Sequence, residues 1–293
     1  MNTSLASTST TNTATDADRT PQRVRHTLRF RVLDVLRVQR VTPHLVRVTL
    51  GGDDLEGFYS PGFDDHAKLF FPDPTTGELT VPTAGPDGPV WPEGRKPVMR
   101  DYTPRRFDEA ARTLEIDFAL HEAGPATRWA EQAAPGQRLG VGGPRGSFIV
   151  PTNFDWHLLI GDDTALPAIA RRLAELPVDA RALVFAEVDG VADQVPLPSP
   201  SANVEVVWVH RADVAGAAEE AAADAVAESP LLRALRRKQL PTGAFHAWVG
   251  CESAAAKALR AHLVNECKAN PKWVRASGYW RRGTAATHDS HDE

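Results

Sequence analysis

The chain has 293 residues, of which 42% are hydrophobic and 24% are charged, and its formal net charge at pH 7 is −5. This length favours two domains with separate cores, and the negative charge argues against a general role on nucleic acid or at a membrane surface. The two cysteines, Cys251 and Cys267, cannot build a disulfide framework and have no metal-type spacing.

Residues 1–22 are rich in Ser, Thr, Ala and Asn and contain few bulky apolar side chains. A segment of this composition cannot bury enough surface to fold, so we predict a disordered tail. It also lacks the apolar core of a signal peptide. No apolar run in the chain reaches the ~18–20 residues that crossing a bilayer needs. These features predict a cytoplasmic protein.

Residues 23–152 consist of short alternating apolar and polar runs, such as TLRFRVLDVLRV and HLVRVTLGG. Clusters of Gly and Pro separate these runs, as in AGPDGPVWPEG. Alternation with turn signals is typical of antiparallel strands. The segment therefore predicts an antiparallel β-barrel, interrupted by one helix at about 126–134.

Residues 153–284 follow a different rhythm. The buried strand WHLLIG precedes the helical run TALPAIARRLAEL, and further strands alternate with helical segments. This order predicts a parallel sheet with helices on its faces. The expected fold class is thus a two-domain protein, with the β-barrel followed by an α/β domain. Residues 285–293 predict a flexible acidic tail.

A cationic and aromatic strip occurs in VMRDYTPRRF, at residues 98–107. Read as one strand, it places Arg100 and Tyr102 on one face, and Thr103 and Arg105 on the other. Two arginines suit an anion, and an aromatic ring suits a flat group. The strip therefore predicts a binding site for a planar, negatively charged molecule.

Two strand–turn–helix segments are candidate phosphate and nucleotide sites. In HEAGPATRWAEQA, free N–H groups at a helix start near Thr127 suit a phosphate, although a simple helix cap is the alternative. In LLIGDDTALPAIARRL, Gly161 ends a strand at the edge where dinucleotides meet parallel sheets, but this is not G-x-G-x-x-G and ordinary capping is again possible. The scattered histidines predict no metal site.

These motifs resemble a known family. The pattern R-x-Y-T at residues 100–103 is similar to the R-x-Y-[ST] strip of the ferredoxin–NADP reductase superfamily. DFALHEAGPATRWA, IGDDTALPAIARRLAELP and GYWRRG narrow the resemblance to siderophore-interacting proteins, the flavin-dependent ferric-siderophore reductases. The resemblance covers about residues 24–284. It implies that the barrel binds FAD, that the α/β domain binds NADH or NADPH, and that electrons pass to siderophore-bound Fe(III) to release Fe(II).

The resemblance also implies roles for individual residues, with Arg100 near flavin phosphate or ribityl oxygens, Tyr102 on the isoalloxazine and Thr103 near its edge. The implied FAD-binding residues are Arg100, Tyr102, Thr103, Arg105, Asp117, Ala119, His121, Gly124, Ala126, Thr127 and Trp280. The implied NAD(P)H-binding residues are Gly161, Asp162, Thr164, Ala165, Cys251 and Glu252. The implied siderophore-binding residues are Lys68, Arg281 and Arg282. No catalytic side chain is expected, because the flavin carries the chemistry.

Several alternatives stay open at this point. The family usually has W-x-A-G-E where this chain has the sequence WVGCE at residues 248–252. Cys251 in this motif either fills space or contacts the nicotinamide. The donor is NADH, NADPH or a ferredoxin, and the siderophore is unspecified. A general flavin or ferredoxin-type reductase and a non-enzymatic siderophore-binding protein are the competing functions. We expect a monomer.

Overall fold

The computed structural model describes residues 19–86, 88–92, 96–120, 124–212 and 228–283, together with the backbone of 289–290. Of the tail predicted over residues 1–22, residues 1–18 therefore lie outside the described residues. The same is true of His121 and of most of the predicted acidic tail.

The described part of residues 22–149 forms eleven strands and one α-helix. The elements are β1 (Gln22–Arg25), β2 (Phe30–Thr42), β3 (Leu45–Gly51), β4 (Ala67–Phe70), β5 (Thr83–Gly85), β6 (Gly88–Val90), β7 (Met99–Tyr102), β8 (Pro104–Asp108), β9 (Thr113–Ala119), α1 (Pro125–Glu131), β10 (Arg138–Gly142) and β11 (Gly146–Ile149).

Seven of these strands form one antiparallel sheet in the order β7-β4-β10-β2-β3-β9-β8. The strands β7 and β8 stand at opposite ends of this order, although only Thr103 separates them in the chain. The sheet therefore curls back on itself as a barrel. Alternate side chains fill its interior, among them Leu33, Val48 and Ile116, each 0% exposed. The α1 residue Trp129 packs on Phe118, with ring centroids 5.5 Å apart.

Among the described residues, the second domain contains six strands and three α-helices. They are β12 (Trp156–Asp162), α2 (Leu166–Glu175), β13 (Ala182–Val188), β14 (Val204–His210), α3 (Pro230–Arg237), β15 (Phe245–Glu252), α4 (Ser253–Asn265), β16 (Val274–Trp280) and β17 (Asp289–Ser290). The sheet order is β14-β13-β12-β15-β16-β17, and the first five strands are parallel.

The strand order of this sheet reverses beside β12. The chain runs outward from β12 to β13 and β14, then returns to place β15 on the other side. The helix α2 packs on one face of the sheet, and α3 and α4 pack on the other. Ligands of such sheets bind beyond the carboxyl ends of the strands at the reversal. In this chain that position falls at Asp162 and Glu252.

Described residues of both predicted tails contact the rest of the chain. The Arg19 Nη2 atom lies 2.8 Å from Asp155 Oδ1, and its guanidinium lies 5.7 Å from the ring centre of Phe154. Gln22 already begins β1. At the other end, β17 pairs antiparallel with β16 inside the predicted acidic tail. Composition could not predict these contacts. Arg19 and Asp155 are far apart in the chain, and the pairing of β17 depends on where the fold places β16.

Polar contacts join the two domains. The barrel residue Asp64 accepts a hydrogen bond from Arg275 Nε at 2.7 Å and another from Trp248 Nε1 at 3.2 Å. The turn residue His44 lies with its Nδ1 3.1 Å from Asp193 and 3.3 Å from Asp189. These contacts fix the barrel against the parallel sheet. Within the described ranges, no helix combines the length and apolarity needed to cross a bilayer.

Candidate functional site

The cationic strip spans two strands rather than the single strand that alternation predicts. Arg100 and Tyr102 lie on β7, which pairs with β4, whereas Arg105 lies on β8, which pairs with β9. The break at Thr103 is required because the two halves hydrogen-bond to different neighbours. The strip therefore crosses the seam at which the barrel closes.

Arg105 is held above a buried carboxylate. Asp117 binds Arg47 through two hydrogen bonds, of 2.6 Å to Nε and 2.8 Å to Nη2. The Arg105 Nε atom is farther from Asp117, at 3.9 Å. Burial lowers the pKa of Arg105, with the charge of Asp117 opposing that effect. Because Arg47 takes the strong hydrogen bonds of Asp117, Arg105 keeps donors for another anion.

The structure gives Asp117 a positioning role, and Arg47 is a site residue that the sequence analysis missed. These two residues are direct partners in the β3–β9 register. Their separation in the chain is 70 residues. Only the strand pairing brings them together, and the one signal in the sequence is an isolated Arg in the alternating run HLVRVTL.

Tyr102 presents a partly buried ring beside the strip. Its ring centre lies 4.5 Å from that of Phe118, and burial raises the pKa of its phenol. Arg100 donates from Nη1 to the carbonyl oxygen of Met99 at 2.8 Å, which holds its guanidinium near the strand. Pro104, the next residue but one after Tyr102 in the strip, accepts a hydrogen bond through its carbonyl oxygen from Arg171 Nη1 of α2 at 3.0 Å. The strip thus touches the second domain directly.

The predicted phosphate-binding helix start is present at α1. Gly124 is the N-cap residue and makes no side-chain cap, and Pro125 occupies the first turn. The backbone N–H groups of Ala126 and Thr127 belong to the first turn, where an α-helix offers no internal acceptor. Ala119 ends β9 shortly before this turn. The strand β9, which carries Asp117, pairs with β8 of the strip and leads at its end into the turn before α1. The backbone donors and the strip therefore both adjoin β9.

Asp162 organises the carboxyl edge of the parallel sheet. Its Oδ1 atom accepts hydrogen bonds from Thr164 N at 3.1 Å and from Thr164 Oγ1 at 2.5 Å. Its Oδ2 atom accepts a hydrogen bond from Trp280 Nε1 at 2.8 Å. The carboxylate therefore fixes both the loop after β12 and the indole at the end of β16. Three residues predicted at the cofactor sites are brought together in this way.

The remaining predicted nucleotide residues have structural tasks. A Cβ atom on Gly161 would lie 2.4 Å from the Cβ of Ala165, so only glycine lets this loop pack. Glu252 caps α4 by accepting from the N–H groups of Ala254 and Ala255. Cys251 is 1% exposed and belongs to the core beneath α3 and α4, where burial raises the pKa of its thiol. Because the Cys251 side chain packs in this core, only its backbone could contact a bound NAD(P)H.

An unpredicted network of carboxylates surrounds Arg211 at this edge. The guanidinium contacts Asp163, Glu187 at 3.3 Å and Asp189 at 2.5 Å. Burial and the negative charge of Asp162 raise the pKa of Glu187 to about 7, although the charge of Arg211 opposes this shift. Acidic residues directly after β12 and β13 are the signal that could have revealed this network.

Glu187 gives a pH-dependent contribution to stability. Its pKa in the folded protein, about 7, exceeds the ordinary value of 4.5. The folded state therefore holds the proton more tightly, and this stabilisation is complete below about pH 4.5 and is lost as the pH rises through about 7. We expect Glu187→Gln to flatten the decline in melting temperature between about pH 5 and 8. Parallel curves for Glu187→Gln, the exposed control Glu205→Gln and the wild type would contradict this assignment.

The predicted substrate residues lie at the surface. Lys68 Nζ is 2.8 Å from Asp101 Oδ1, its partner in the β4–β7 register, and the lysine side chain is 44% exposed. Arg281 and Arg282 follow Trp280 and are exposed. Asp101 thus offsets part of the charge of Lys68, which the sequence analysis did not predict.

Comparison with a distantly related solved structure concerns the fold. The chain is similar to a cytochrome P450 reductase from Amycolatopsis, with 21% identity, a TM-score of 0.58 and coverage of 85% of this chain and 69% of that chain. This likeness shows the fold alone. It confirms the predicted architecture, an antiparallel β-barrel followed by a parallel-sheet α/β domain.

The family follows from closer matches. Residues 34–148 match the siderophore-interacting FAD-binding domain, and residues 154–283 match the siderophore-interacting protein model. The chain therefore belongs to the siderophore-interacting protein family, as the motifs predict. Its barrel is the FAD-binding domain of that family.

Three individual proteins illustrate the relationship. The chain is 40% identical to the NADPH-dependent ferric-chelate reductase of Escherichia coli, over 89% of this chain and 97% of that protein. It is 36% identical to the ferric vibriobactin reductase of Vibrio cholerae, over 86% and 90%. A siderophore utilization protein from T. fusca has 41% identity and a TM-score of 0.81, over 92% and 99%.

Proposed function

We propose that this protein is a flavin-dependent ferric-siderophore reductase that uses NAD(P)H as its electron donor. The observation that carries the proposal is the hydrogen bond from Arg171 Nη1 to the carbonyl oxygen of Pro104, at 3.0 Å. It joins the cationic strip of the FAD-binding domain to α2, the helix that follows the Asp162 loop at the carboxyl edge of the parallel sheet. A flavin on the strip and a nucleotide at that edge would therefore meet. The names of the Escherichia coli and Vibrio cholerae relatives support the same reaction.

The residues of the strip fit FAD. Arg105 is a largely buried cation whose strongest neighbouring carboxylate is already bound by Arg47, so a phosphate would complete its surroundings. Arg100 supplies a second cation, and Tyr102 supplies a flat face beside it. When bound, FAD supplies the ability to accept a hydride and to release single electrons.

At the second domain, the chain's task is to hold the nucleotide. Asp162 keeps Trp280 and the loop after β12 in place by its three hydrogen bonds. No side chain is needed to move a proton to or from the substrate, because the reaction transfers electrons. The proposed roles of the individual binding residues rest on these positions and on the motifs.

The substrate is a ferric siderophore, which Lys68, Arg281 and Arg282 attract by charge. Hard oxygen ligands bind Fe(III) much more tightly than Fe(II), so reduction loosens the iron. We further propose that the protein acts as a monomer in the cytoplasm. A ferredoxin is the alternative donor, and a general flavin or ferredoxin-type reductase is the alternative activity.

The donor can be tested by anaerobic mixing. We expect NADPH or NADH to bleach the visible absorbance of the bound flavin, and a ferric siderophore to restore it while Fe(II) appears. Reduced ferredoxin serves as the third donor. If only ferredoxin reduces the flavin, the second domain is not a working nicotinamide site. A protein purified without flavin would instead support a non-enzymatic siderophore-binding protein.

The role of Lys68 can be tested by titration. Lys68→Ala removes an attractive charge and leaves Asp101 without its partner, so we expect about two- to fivefold weaker binding of an anionic ferric siderophore at low salt. The difference should shrink at physiological salt, where the Debye length is about 8 Å. Lys257→Ala, an exposed change on α4, is the control. Identical curves for all three proteins would remove Lys68 from the substrate site.

A further inference from the structure

A cavity of about 710 Å³ lies at the amino ends of β15 and β16. His246 stands near the beginning of β15, whereas Glu252 ends the same strand. Six residues of strand, at about 3.3 Å each, place these two positions about 20 Å apart. The cavity is therefore at the opposite edge of the sheet from the proposed cofactor site, and the flavin mechanism does not use it.

The cavity carries positive charge. Arg23, Lys272 and Arg275 line it, and none of the described residues that line it is Asp or Glu. Asp64, behind the wall, binds Arg275 and offsets one of the three charges. Arg23 and Lys272 are exposed, and they leave a local excess of positive charge in a chain whose net charge is −5. Such a cavity favours an anion.

Aromatic rings stand beside these cations. The guanidinium carbon of Arg275 lies 4.5 Å from the ring centre of Phe148, and that of Arg23 lies 6.0 Å from the same ring. Trp273 also lines the cavity. Rings next to guanidinium groups accept flat ligands by stacking, while the arginines hold planar anions through paired N–H groups.

A buried imidazole completes the cavity. His246 lines it, is 1% exposed, and its Nδ1 atom has no hydrogen-bond partner in the described structure. Burial lowers the pKa of this imidazole, which therefore stays neutral. The Nδ1 atom has almost no solvent-accessible surface, so it faces the protein interior behind the wall and not the open cavity.

We propose that this cavity is a second ligand site, which binds an aromatic carboxylate. Arg23 and Lys272 hold the carboxylate, and Phe148 and Trp273 contact the ring. The volume is typical of small-molecule sites. The site stands on its own geometry and does not depend on the proposed reductase activity.

The test uses the full, flavin-loaded chain and 1-naphthoate as the probe, measured by isothermal titration calorimetry. We expect saturable binding of one probe per chain, without competition from NADPH. Binding should weaken at least about tenfold in the double variant Arg23→Ala/Lys272→Ala. The control Arg106→Ala/Lys257→Ala removes the same charge from exposed positions that do not line the cavity, and it should bind as the wild type does.

Two further probes test the ligand class. Cyclohexanecarboxylate keeps the charge without the aromatic ring, and 1-naphthamide keeps the ring without the charge, so both should bind more weakly than 1-naphthoate. Equal affinity for the three probes, equal affinity of the two double variants, displacement by NADPH, or no binding at all would each overturn the proposal. Both double variants should keep wild-type flavin content and melting temperature, because the substituted side chains are exposed.

Discussion

Arg100→Ala should weaken FAD binding by about 1.5–3 kcal/mol, which is roughly a 10- to 160-fold rise in Kd. The physical reason is the loss of a hydrogen bond to a charged group at a partly buried position. The carbonyl oxygen of Met99 holds the guanidinium in place, so little conformational entropy opposes the contact. The measurement is a flavin fluorescence titration of the flavin-free variant and of the flavin-free wild type.

Arg106→Ala is the matched control for this prediction. Arg106 lies close to Arg100 in sequence, but its side chain is 64% exposed and contacts Asp108 at 3.5 Å. We expect its removal to leave the Kd for FAD nearly unchanged, since exposed ion pairs contribute little. Equal affinities of both variants would show that β7 does not hold the anionic part of FAD. A preference for FMN would contradict the proposed cofactor.

Asp64→Ala should lower the free energy of unfolding by about 3–5 kcal/mol, the usual cost of breaking a buried ion pair by removing one partner. The Asp64 side chain is 4% exposed and Trp248 is fully buried. The substitution leaves the indole N–H of Trp248 and the guanidinium of Arg275 without their shared acceptor. Because these partners belong to the second domain, the loss loosens the contact between the domains as well as the fold.

Chemical denaturation monitored by tryptophan fluorescence measures this effect. Asp53→Ala is the control, since Asp53 also pairs with an arginine, Arg112, but its side chain is 97% exposed. We expect the control to change the unfolding free energy by less than about 0.5 kcal/mol. A loss of similar size in both variants would mean that the burial of Asp64 adds nothing to its ion pair.

The sequence was informative where local pattern and chemistry coincide. Alternation predicted the barrel, and the regular order of strands and helices predicted the parallel sheet. The strip at Arg100–Arg105 and the loop at Asp162 were visible because their residue types stand side by side in the chain. The family motifs then assigned a cofactor to each domain.

Contacts between distant segments could not be predicted in the same way. The Arg47–Asp117 pair depends on the register of β3 and β9, and the acidic network depends on Arg211 reaching across the ends of two strands. Cys251 shows the converse. Its sequence position left open a nicotinamide contact or a space-filling role, and the direction of its side chain on β15 places the side chain in the core.

The sequence by itself determined the two domains, their order and the residues that resemble a flavin and nucleotide site. These properties follow from periodicity, turn chemistry and short motifs, all of which are local. The tertiary structure alone decided that the strip is split between two strands at Thr103. It also decided that Arg47 binds Asp117 and so leaves the donors of Arg105 for another anion. The cationic cavity at the far edge of the sheet is its third contribution. Each depends on strand register and domain contact, and these are fixed only when segments far apart in the chain bury their surfaces together.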